Sequence, residues 1–309
     1  MNLQQLEYIL AVNEFKNFIK AAEKCFVTQP TLSMMIMKLE EELGVKIFDR
    51  SKKPIEATPH GKEIIKRAKI ILGEVFRLKE FAQEFKNEIS GEIKLGVIPT
   101  LAPYVVPLFI QEIISAYPGL RLIIKELTTI QIIEFLKSNE VDIGLLATPL
   151  NEPDIKEHPL FYEEFLAYSP EKKGQNSKTY MLPSEINVDQ LWLLEEGHCF
   201  RSQVLNLCNL RKKEMFSSHL QYEAGSIETL INLVDRNAGI TIVPLLATLK
   251  FTPDQKKKLK RFKDPKPVRE VSLVVNVNFA RKKILEALKK EILKNIPASY
   301  EKDRLVIDI

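Results

Sequence analysis

The sequence predicts an all-α N-terminal segment with the pattern of a winged helix-turn-helix, one long linker helix, and a C-terminal two-lobed α/β domain. Three observations predict this fold class. Short amphipathic patterns fill the first 44 residues, an unbroken helical pattern begins at Thr58-Pro59, and strand and helix patterns alternate after Ser90-Gly91. The predicted domains are 1–58 (winged helix-turn-helix), 59–90 (linker and dimerisation helix) and 91–309 (α/β domain, with lobe I at 91–160 and 268–309 and lobe II at 161–267).

The composition is that of an ordinary globular chain. Of the 309 residues, 45% are hydrophobic and 28% are charged, and no apolar run approaches the roughly 18 residues of a membrane span. The N-terminus, from Met1 to Glu7, lacks the basic start and apolar core of a signal peptide, so we expect a cytoplasmic protein without membrane contact. The net charge of +4 is weak evidence for any partner, because residues 1–60 hold eight basic and eight acidic side chains.

Capping signals define the first three helices. Asn2 is the expected N-cap of the first helix, and a short second helix around Ile19–Lys24 contains Ala21-Ala22, which lets two helices cross closely. A third helix is predicted over about Pro30–Leu43, because proline suits the first turn of a helix and Gly44 suits its end.

A wing and a long helix follow. Residues 46–57 are short and β-like, which predicts a two-stranded wing. Thr58 and Pro59 then suit a cap and a first helical residue, and the helix continues to about Asn87, a length of roughly 43 Å. Two interpretations are open, an amphipathic helix packed on its own domain or a dimerising coiled coil, and we favour the coiled coil because little nearby chain can cover so long a stripe. Its seam follows heptad spacing: Ile64, Ala68, Ile71, Val75, Leu78, Ala82 and Phe85.

Strand and helix patterns alternate through the rest of the chain, which predicts α/β units with parallel strands. The length suits two small lobes with a cleft between them, as in periplasmic binding proteins. Helices are predicted after Thr100 and Thr129 and from about Phe200, Ser226 and Phe279. The predicted strands are Glu92–Val97, Leu120–Glu126, Val141–Leu146, Glu163–Tyr168, Leu191–Leu194, Gln221–Glu223, Ile240–Val243 and Val271–Asn276.

The start of the third helix carries side chains suited to reading DNA. N-terminal residues of such a helix face base edges in the major groove, where Gln29 can pair with adenine and Thr31 and Ser33 with bases or phosphates. Basic residues on the wing can contact phosphates or enter the minor groove. The alternative is a helical core that binds no DNA. The candidate DNA-binding residues are Thr28, Gln29, Pro30, Thr31, Ser33, Lys38, Arg50, Lys52 and Lys53.

These sixty residues closely resemble the helix-turn-helix of LysR-type transcription regulators. The long helix and the two-lobed α/β domain match the layout of that family, so the resemblance extends over the whole chain. It implies a regulator that binds promoter DNA. One departure is Met34-Met35-Ile36-Met37, an unusually apolar stretch for a recognition helix, and some of these side chains must pack inward. The resemblance rests on Ala21-Ala22, Thr28–Ser33, Leu39–Gly44, Ile47–Arg50 and Thr58–Gly61.

The three cysteines are either buried apolar fillers or reactive thiols, because a cytoplasmic chain rarely keeps permanent disulfides. Cys25 is expected to be a small buried hydrophobe. Cys199 is expected near a helix start, where free backbone N–H groups, with His198 and Arg201, lower the pKa of the thiol. Nine residues of helix separate Cys199 from Cys208 by roughly 13 Å. A disulfide needs Cα atoms within about 7 Å, so a bond between them requires the helix to unwind.

The segment around these cysteines resembles the redox loop of the hydrogen-peroxide sensors among LysR-type regulators. The resemblance implies Cys199 as the peroxide-reactive thiol and Cys208 as its resolving partner. It also implies that Thr100, Thr129, His198 and Arg269 lie around the reactive sulfur. The matching stretches are Leu193–Cys208, Gly96–Thr100 with Pro103-Tyr104, Ser226–Leu230 and Gly239–Pro244.

The positions of the two threonines agree with this placement. Thr100 and Thr129 each follow a predicted strand and precede a helix, which is where open α/β sheets bind ligands. Their hydroxyls can orient a peroxide, and Arg269 can stabilise a thiolate or a leaving hydroxide. The alternative for each threonine is a plain helix N-cap. His219, before the Gln221–Glu223 strand, is expected to be a surface residue.

The leading hypothesis is therefore a peroxide-responsive transcription regulator with no cofactor and no metal site, and not an enzyme. We expect it to bind double-stranded promoter DNA as a homodimer or homotetramer and to contact RNA polymerase, with hydrogen peroxide as its signal. The main alternative keeps DNA binding but replaces the thiol switch with a reversible small-molecule effector in the cleft. A solute-binding protein would leave residues 1–88 without a role, and a thiol peroxidase would leave the DNA-binding segment unexplained.

Overall fold

A computed structural model describes residues 1–84, 89–170, 180–186, 190–195, 199–208, 224–236, 239–296 and 304–307. The chain divides into two compact units. The first consists of Met1–Asn87 with Lys137–Glu140, and the second of Glu88–Leu136 with Val141–Ile309. None of the helices in the described part of the chain combines the length and apolar character that a membrane crossing requires.

The first unit is the predicted winged helix-turn-helix. Asn2 caps α1 through a reciprocal capping box with Gln5, and Gly44 ends α3 with a left-handed φ of 67°, both as predicted. Helix α2 begins one residue earlier than predicted because Asn17, which the sequence analysis did not single out, accepts hydrogen bonds from its first turn. The elements are α1 (Leu3–Phe15), α2 (Phe18–Lys24), α3 (Gln29–Leu43), β1 (Phe48–Asp49), β2 (Glu56–Ala57) and α4 (Pro59–Glu84), with β1 antiparallel to β2.

Helix α4 begins as expected, because the Thr58 hydroxyl accepts a hydrogen bond from the Gly61 N–H at 2.8 Å. Its first turns pack on the core of the same unit, where Ala68 is buried. Further along, Ile71 is 40% and Leu78 is 70% exposed. Packing on its own unit therefore accounts for the start of the predicted seam, and dimerisation along the rest stays a prediction. Of the other seam residues, Phe85 lies outside the described residues.

The second unit is built on one mixed sheet with helices around it. Its strand order is β4-β3-β5-β10-β6-β9-β7, with β8 paired to β6 and β11 paired to β10. Its elements are β3 (Gly91–Val97), α5 (Ala102–Ala116), β4 (Leu120–Glu126), α6 (Thr129–Lys137), β5 (Ile143–Thr148), β6 (Ile155–Tyr168), β7 (Tyr180–Met181), α7 (Cys199–Leu207), α8 (Ile227–Asp235), β8 (Thr241–Pro244), α9 (Pro253–Lys257), β9 (Leu259–Phe262), β10 (Lys266–Asn276), α10 (Lys282–Asn295) and β11 (Arg304–Val306).

The prediction of parallel strands is only partly right. Strand β3 is parallel to β4 and β5, but β10 is antiparallel to both β5 and β6. Strand β10 enters between β5 and β6 from about a hundred residues later in the chain, and an alternation of local patterns carries no information about the direction of so distant a partner. Residues 191 and 194 form single bridges rather than a strand. The predicted strand at 221–223 and His219 lie outside the described residues.

Two separate hydrophobic cores confirm the two-lobed architecture. The first is built around β3, β5, α5 and α10, and the second around α7, α8 and the distal half of β6. Strand β6 contributes residues to both cores, whereas the residues of β10 belong to the first. Cys199 belongs to the first core although its neighbour Phe200 belongs to the second. The start of α7 therefore lies at the junction of the two lobes rather than inside lobe II.

Candidate thiol site and DNA-reading face

A buried ion pair forms the base of the thiol site. Arg269 on β10 and Glu163 on β6 are direct cross-strand partners, and both side chains are almost fully buried. The Arg269 Nε and Nη2 atoms lie 2.8 and 2.7 Å from Glu163 Oε2, and Glu163 Oε1 accepts a hydrogen bond from the Leu246 N–H at 2.8 Å. Because burying an unpaired charge is very unfavourable, this pairing is what allows a guanidinium to lie inside the domain.

Arg269 also binds Thr100 through two hydrogen bonds. Its Nη1 donates to the Thr100 hydroxyl at 3.0 Å, and its Nη2 donates to the Thr100 carbonyl at 3.1 Å. A guanidinium only donates, so the hydroxyl oxygen is the acceptor and its own O–H remains available to a second group. The alternative interpretation of Thr100 as a plain N-cap is wrong, because α5 has Leu101 in the cap position.

Thr129 is also not a helix cap. The hydroxyl of its neighbour, Thr128, accepts from the Gln131 N–H and takes the capping role at the start of α6. Thr129 is buried, and its hydroxyl lies at the Cys199 thiol, where it acts as a hydrogen-bonding group. Since β3 and β4 are adjacent and parallel, their carboxyl ends bring Thr100 and Thr129 to the same edge of the sheet, which is where such sheets bind ligands.

Cys199 is the first residue of α7 and is almost completely buried. Burial raises the pKa of its thiol, against the lowered value predicted from the helix start. Thr129, Arg269 and the N–H groups of Phe200 and Cys199 all act to lower the pKa of Cys199, but burial outweighs them. The site therefore holds a protonated thiol among groups that stabilise its thiolate once the proton leaves.

Three further residues were predicted to act at this site: Cys208, Arg201 and His198. Cys208 is a free thiol at the other end of α7, partly buried, and burial raises its pKa to about 11. Nine helical steps place it roughly 13 Å from Cys199. Arg201 donates to the Leu194 carbonyl at 2.6 Å, and its effect on the pKa of Cys199 stays a prediction. His198 lies outside the described residues.

Helix α7 is tied directly to the base of the thiol site. The guanidinium carbon of Arg269 lies 5.4 Å from the centre of the Phe200 ring, which also packs edge-on against Phe165. Gln203 donates to the Ile307 carbonyl at 2.9 Å, but its Oε1 atom is buried without a hydrogen-bond partner among the described residues. The same helix thus carries the candidate thiol, a contact with Arg269 and a buried amide oxygen that has no partner in the described part of the chain.

All of the predicted DNA-reading residues except the half-buried Ser33 are exposed on the first unit. Thr28 is the N-cap of α3, and its hydroxyl lies 2.8 Å from that of Thr31. Ser33 accepts a hydrogen bond from Arg50 Nη1 at 3.1 Å, which joins the third helix to the wing. Gln29, Pro30, Lys38 and Lys53 are exposed.

Two acids of the first unit pair with basic residues of the candidate DNA-reading set. Glu40, in the last turn of α3, is buried and accepts from the Ile47 and Phe48 N–H groups at 2.7 and 3.1 Å, and it lies 3.4 Å from Arg50 Nη2. On the wing, Glu56 lies 2.6 Å from Lys52. Glu40 is buried, whereas Glu56 is exposed, so the pairing of Glu56 lowers the positive charge that Lys52 presents at the surface.

Glu163 is the functional candidate that sequence reasoning missed. It is one of two successive acids, Glu163-Glu164, at the start of an apolar strand pattern. Because alternate residues of a strand point to opposite faces, two adjacent acids there signal that one must face inward and needs a buried cation. The two adjacent acids are visible in the sequence, but Arg269, the partner of Glu163, lies 106 residues later in the chain.

Comparisons with known proteins agree with this arrangement. Residues 3–62 match the family model described as bacterial regulatory helix-turn-helix protein, lysR family, and residues 86–296 match the LysR substrate binding domain. The hydrogen peroxide-inducible genes activator of Haemophilus influenzae is 36% identical over 89% of this chain and 90% of its own length. The DNA-binding transcriptional dual regulator OxyR of Escherichia coli K12 is 32% identical over 98% of each chain.

A solved structure resembles almost the whole molecule. A full-length OxyR variant from Pseudomonas aeruginosa is 33% identical and superposes with a TM-score of 0.77 over 95% of this chain and 98% of that one. The similarity therefore includes both units and is not confined to the DNA-reading segment.

Proposed function

The chain belongs to the LysR family of bacterial helix-turn-helix regulators, and from that premise we propose that it is a transcription regulator that senses hydrogen peroxide through Cys199. The observation that carries the proposal is the set of groups around that sulfur. A buried thiol at a helix start lies beside the Thr129 hydroxyl and the Arg269 guanidinium, and that guanidinium in turn binds the Thr100 hydroxyl. Relatives named for hydrogen peroxide-inducible genes support the choice of signal.

The first chemical step is a two-electron oxidation of sulfur by peroxide. The Thr100 and Thr129 hydroxyls orient the peroxide, and the Cys199 sulfur attacks one of its oxygens. An S–O bond forms as the O–O bond breaks, and the thiol proton goes to the leaving hydroxide, which departs as water. Arg269 stabilises the negative charge that develops on sulfur and on the leaving oxygen. The product is a sulfenic acid at Cys199.

The second step converts that sulfenic acid into a disulfide. The Cys208 sulfur attacks the Cys199 sulfur, an S–S bond forms, the S–O bond breaks, and water leaves with the Cys208 proton. Because the two cysteines lie at opposite ends of α7, the helix must unwind before the sulfurs can meet. Unwinding also frees Phe200 from Arg269, so the covalent change becomes a rearrangement of the second lobe.

The output of this switch is a change in DNA binding. We propose that the protein works in the cytoplasm on double-stranded promoter DNA, with α3 in the major groove and the wing beside it. Two or four copies associate, with the exposed seam of α4 joining pairs, so that a rearranged second lobe changes the spacing of the DNA-reading units. Contact with RNA polymerase would then carry the signal to transcription.

The decisive experiment maps the thiols before and after peroxide. The reduced full-length protein is treated with one equivalent of hydrogen peroxide and its cysteines are identified by mass spectrometry. We expect a Cys199–Cys208 bridge in the wild type and in the Cys25→Ser control, a trapped sulfenic acid at Cys199 in Cys208→Ser, and neither product in Cys199→Ser. Footprinting of the same samples on promoter DNA should show a shifted protected region only where the bridge forms.

Two outcomes would contradict this proposal. If Cys199 stays reduced at one equivalent of peroxide, the protein is not a peroxide sensor of this kind. If the bridge forms but the footprint is the same in the oxidised wild type and in Cys199→Ser, the thiol chemistry does not control DNA binding. A footprint that shifts instead with a small molecule would favour an effector bound between the lobes.

A further inference from the structure

Helix α3 has one buried face and one free face, and two long apolar side chains lie on the free face. Leu32, Ile36 and Leu39 are completely buried in the core of the first unit. At 3.6 residues per turn, Met34 lies almost directly opposite these three residues. Met34 is 50% exposed and Met37, one turn further along, is 42% exposed. The packing of this unit therefore gives no reason for methionine at either position.

The surroundings of these methionines indicate what they face. Thr31 and Lys38 are exposed on the same side of α3, one turn before and one turn after Met34. Glu41 is the next exposed residue along this side, and its negative charge would repel a phosphate. The usable surface is thus the first ten residues of the helix, polar at its start, apolar at Met34 and Met37 and cationic at Lys38. A cation beside an apolar patch at a helix N-terminus suits DNA better than a protein surface.

We infer that Met34, with Met37 beside it, reads thymine methyl groups in the major groove and so helps to select the DNA site. This inference rests on the proposed DNA-binding function. The C5-methyl of thymine is the apolar feature that base edges offer in that groove. A methionine sulfur is only a weak hydrogen-bond acceptor, so these side chains are suited to contact such a methyl group rather than a polar base edge. Unbranched, polarizable methionine side chains can adapt to the position of such a methyl group.

The size of the effect follows from the burial of one methyl group. Removing a buried methyl weakens an apolar contact by about fourfold in affinity. The affinity of the protein for its site should therefore fall about fourfold when a thymine that Met34 contacts is replaced by deoxyuridine, which lacks only the C5-methyl. The same replacement elsewhere in the site should change affinity much less.

The experiment begins with selection of a binding site from random duplex DNA by the full-length protein. Each thymine of the selected site is then replaced singly by deoxyuridine, and the dissociation constant of the wild type, Met34→Ala, Met37→Ala and Leu43→Ala is measured. Leu43 is the matched control, because it is an exposed apolar residue at the far end of the same helix. We expect at least one thymine whose replacement costs the wild type and Leu43→Ala about fourfold but costs Met34→Ala nothing further.

Three results would overturn the inference. A deoxyuridine penalty that is the same in Met34→Ala and Met37→Ala as in the wild type leaves the DNA-binding function intact but removes the methionines from base reading. A protein that selects no DNA site overturns the proposed function and this inference together. If Met34→Ala changes the oligomeric state in sedimentation rather than the methyl dependence, the apolar face serves contact between copies of the chain.

Discussion

Helix α3 and helix α7 carry the reading and sensing roles proposed for this chain, and they are held in opposite ways. Helix α3 is capped at both ends, and its one buried acid, Glu40, has both oxygens engaged. Helix α7 carries two buried polar atoms, Arg201 Nε and Gln203 Oε1, that have no hydrogen-bond partner among the described residues. Among the residues that the structure describes, the buried acid of α3 is fully paired, whereas α7 keeps two buried polar atoms without a partner.

The difference matches what each helix has to do. An element that reads bases must keep its shape, whereas a sensor that joins two distant cysteines must be able to lose it. Each unsatisfied buried polar group costs about 1–3 kcal/mol, and unwinding exposes such a group to water. We therefore expect that α7 opens at a lower free-energy cost than a fully paired helix, and we propose that Cys199 and Arg269 determine when it opens.

The largest expected effect comes from removing the charges that define the sensing region. Replacing Arg269 alone would leave Glu163 as an unpaired buried carboxylate, so both are changed together, as Glu163→Gln with Arg269→Met. We expect the double variant to fold and to react with peroxide about 100-fold more slowly at Cys199, because a preorganised donor to the developing charge is lost. The rate is measured by quenching the reaction with an alkylating reagent and quantifying reduced Cys199.

Arg121→Met provides the control for that measurement, since Arg121 is an exposed arginine on β4. Its oxidation rate should match that of the wild type. DNA binding by the reduced double variant should also be unchanged, because the altered residues lie outside the DNA-reading unit. An oxidation rate within a few-fold of the wild type would mean that the Glu163–Arg269 pair serves the fold and not the thiol.

The same contrast shows what the sequence could and could not predict. The bounds of α3 follow from local signals, Thr28 before Pro30 and Gly44 after Leu43, which act within a few residues. The direction of the pKa shift at Cys199 was predicted wrongly, because the helix start is visible in the sequence but the burial that outweighs it is a tertiary property. The pairing of Glu163 with Arg269 depends on the register of two strands far apart in the chain, which no local pattern specifies.

A smaller effect is expected from removing the hydrogen bonds that Glu40 makes in the first unit. In Glu40→Ala, the N–H groups of Ile47 and Phe48 lose their acceptor, so we expect the free energy of unfolding of the first unit to fall by about 2 kcal/mol. Glu41→Ala, at the exposed neighbouring position, should change it by less than about 0.5 kcal/mol. Urea unfolding followed by far-ultraviolet circular dichroism measures the free energy of unfolding of both variants. Equal changes in the two would show that the buried Glu40 contributes no more to stability than the exposed Glu41.

The smallest expected effect is a difference in hydrogen exchange between α7 and α3 in the unmodified protein. In the reduced state, we expect backbone amides in α7 to exchange with deuterium at least about tenfold faster than those in α3, because the unsatisfied groups of α7 lower its opening free energy by more than 1 kcal/mol. Helix α8 serves as the control for helix length, since it has nine residues like α7 and is capped by Ser226, and we expect its amides to exchange more slowly than those of α7. If α7 and α8 exchange at the same rate, the reduced sensor helix is not poised to open, and the energy for its refolding must come entirely from forming the disulfide.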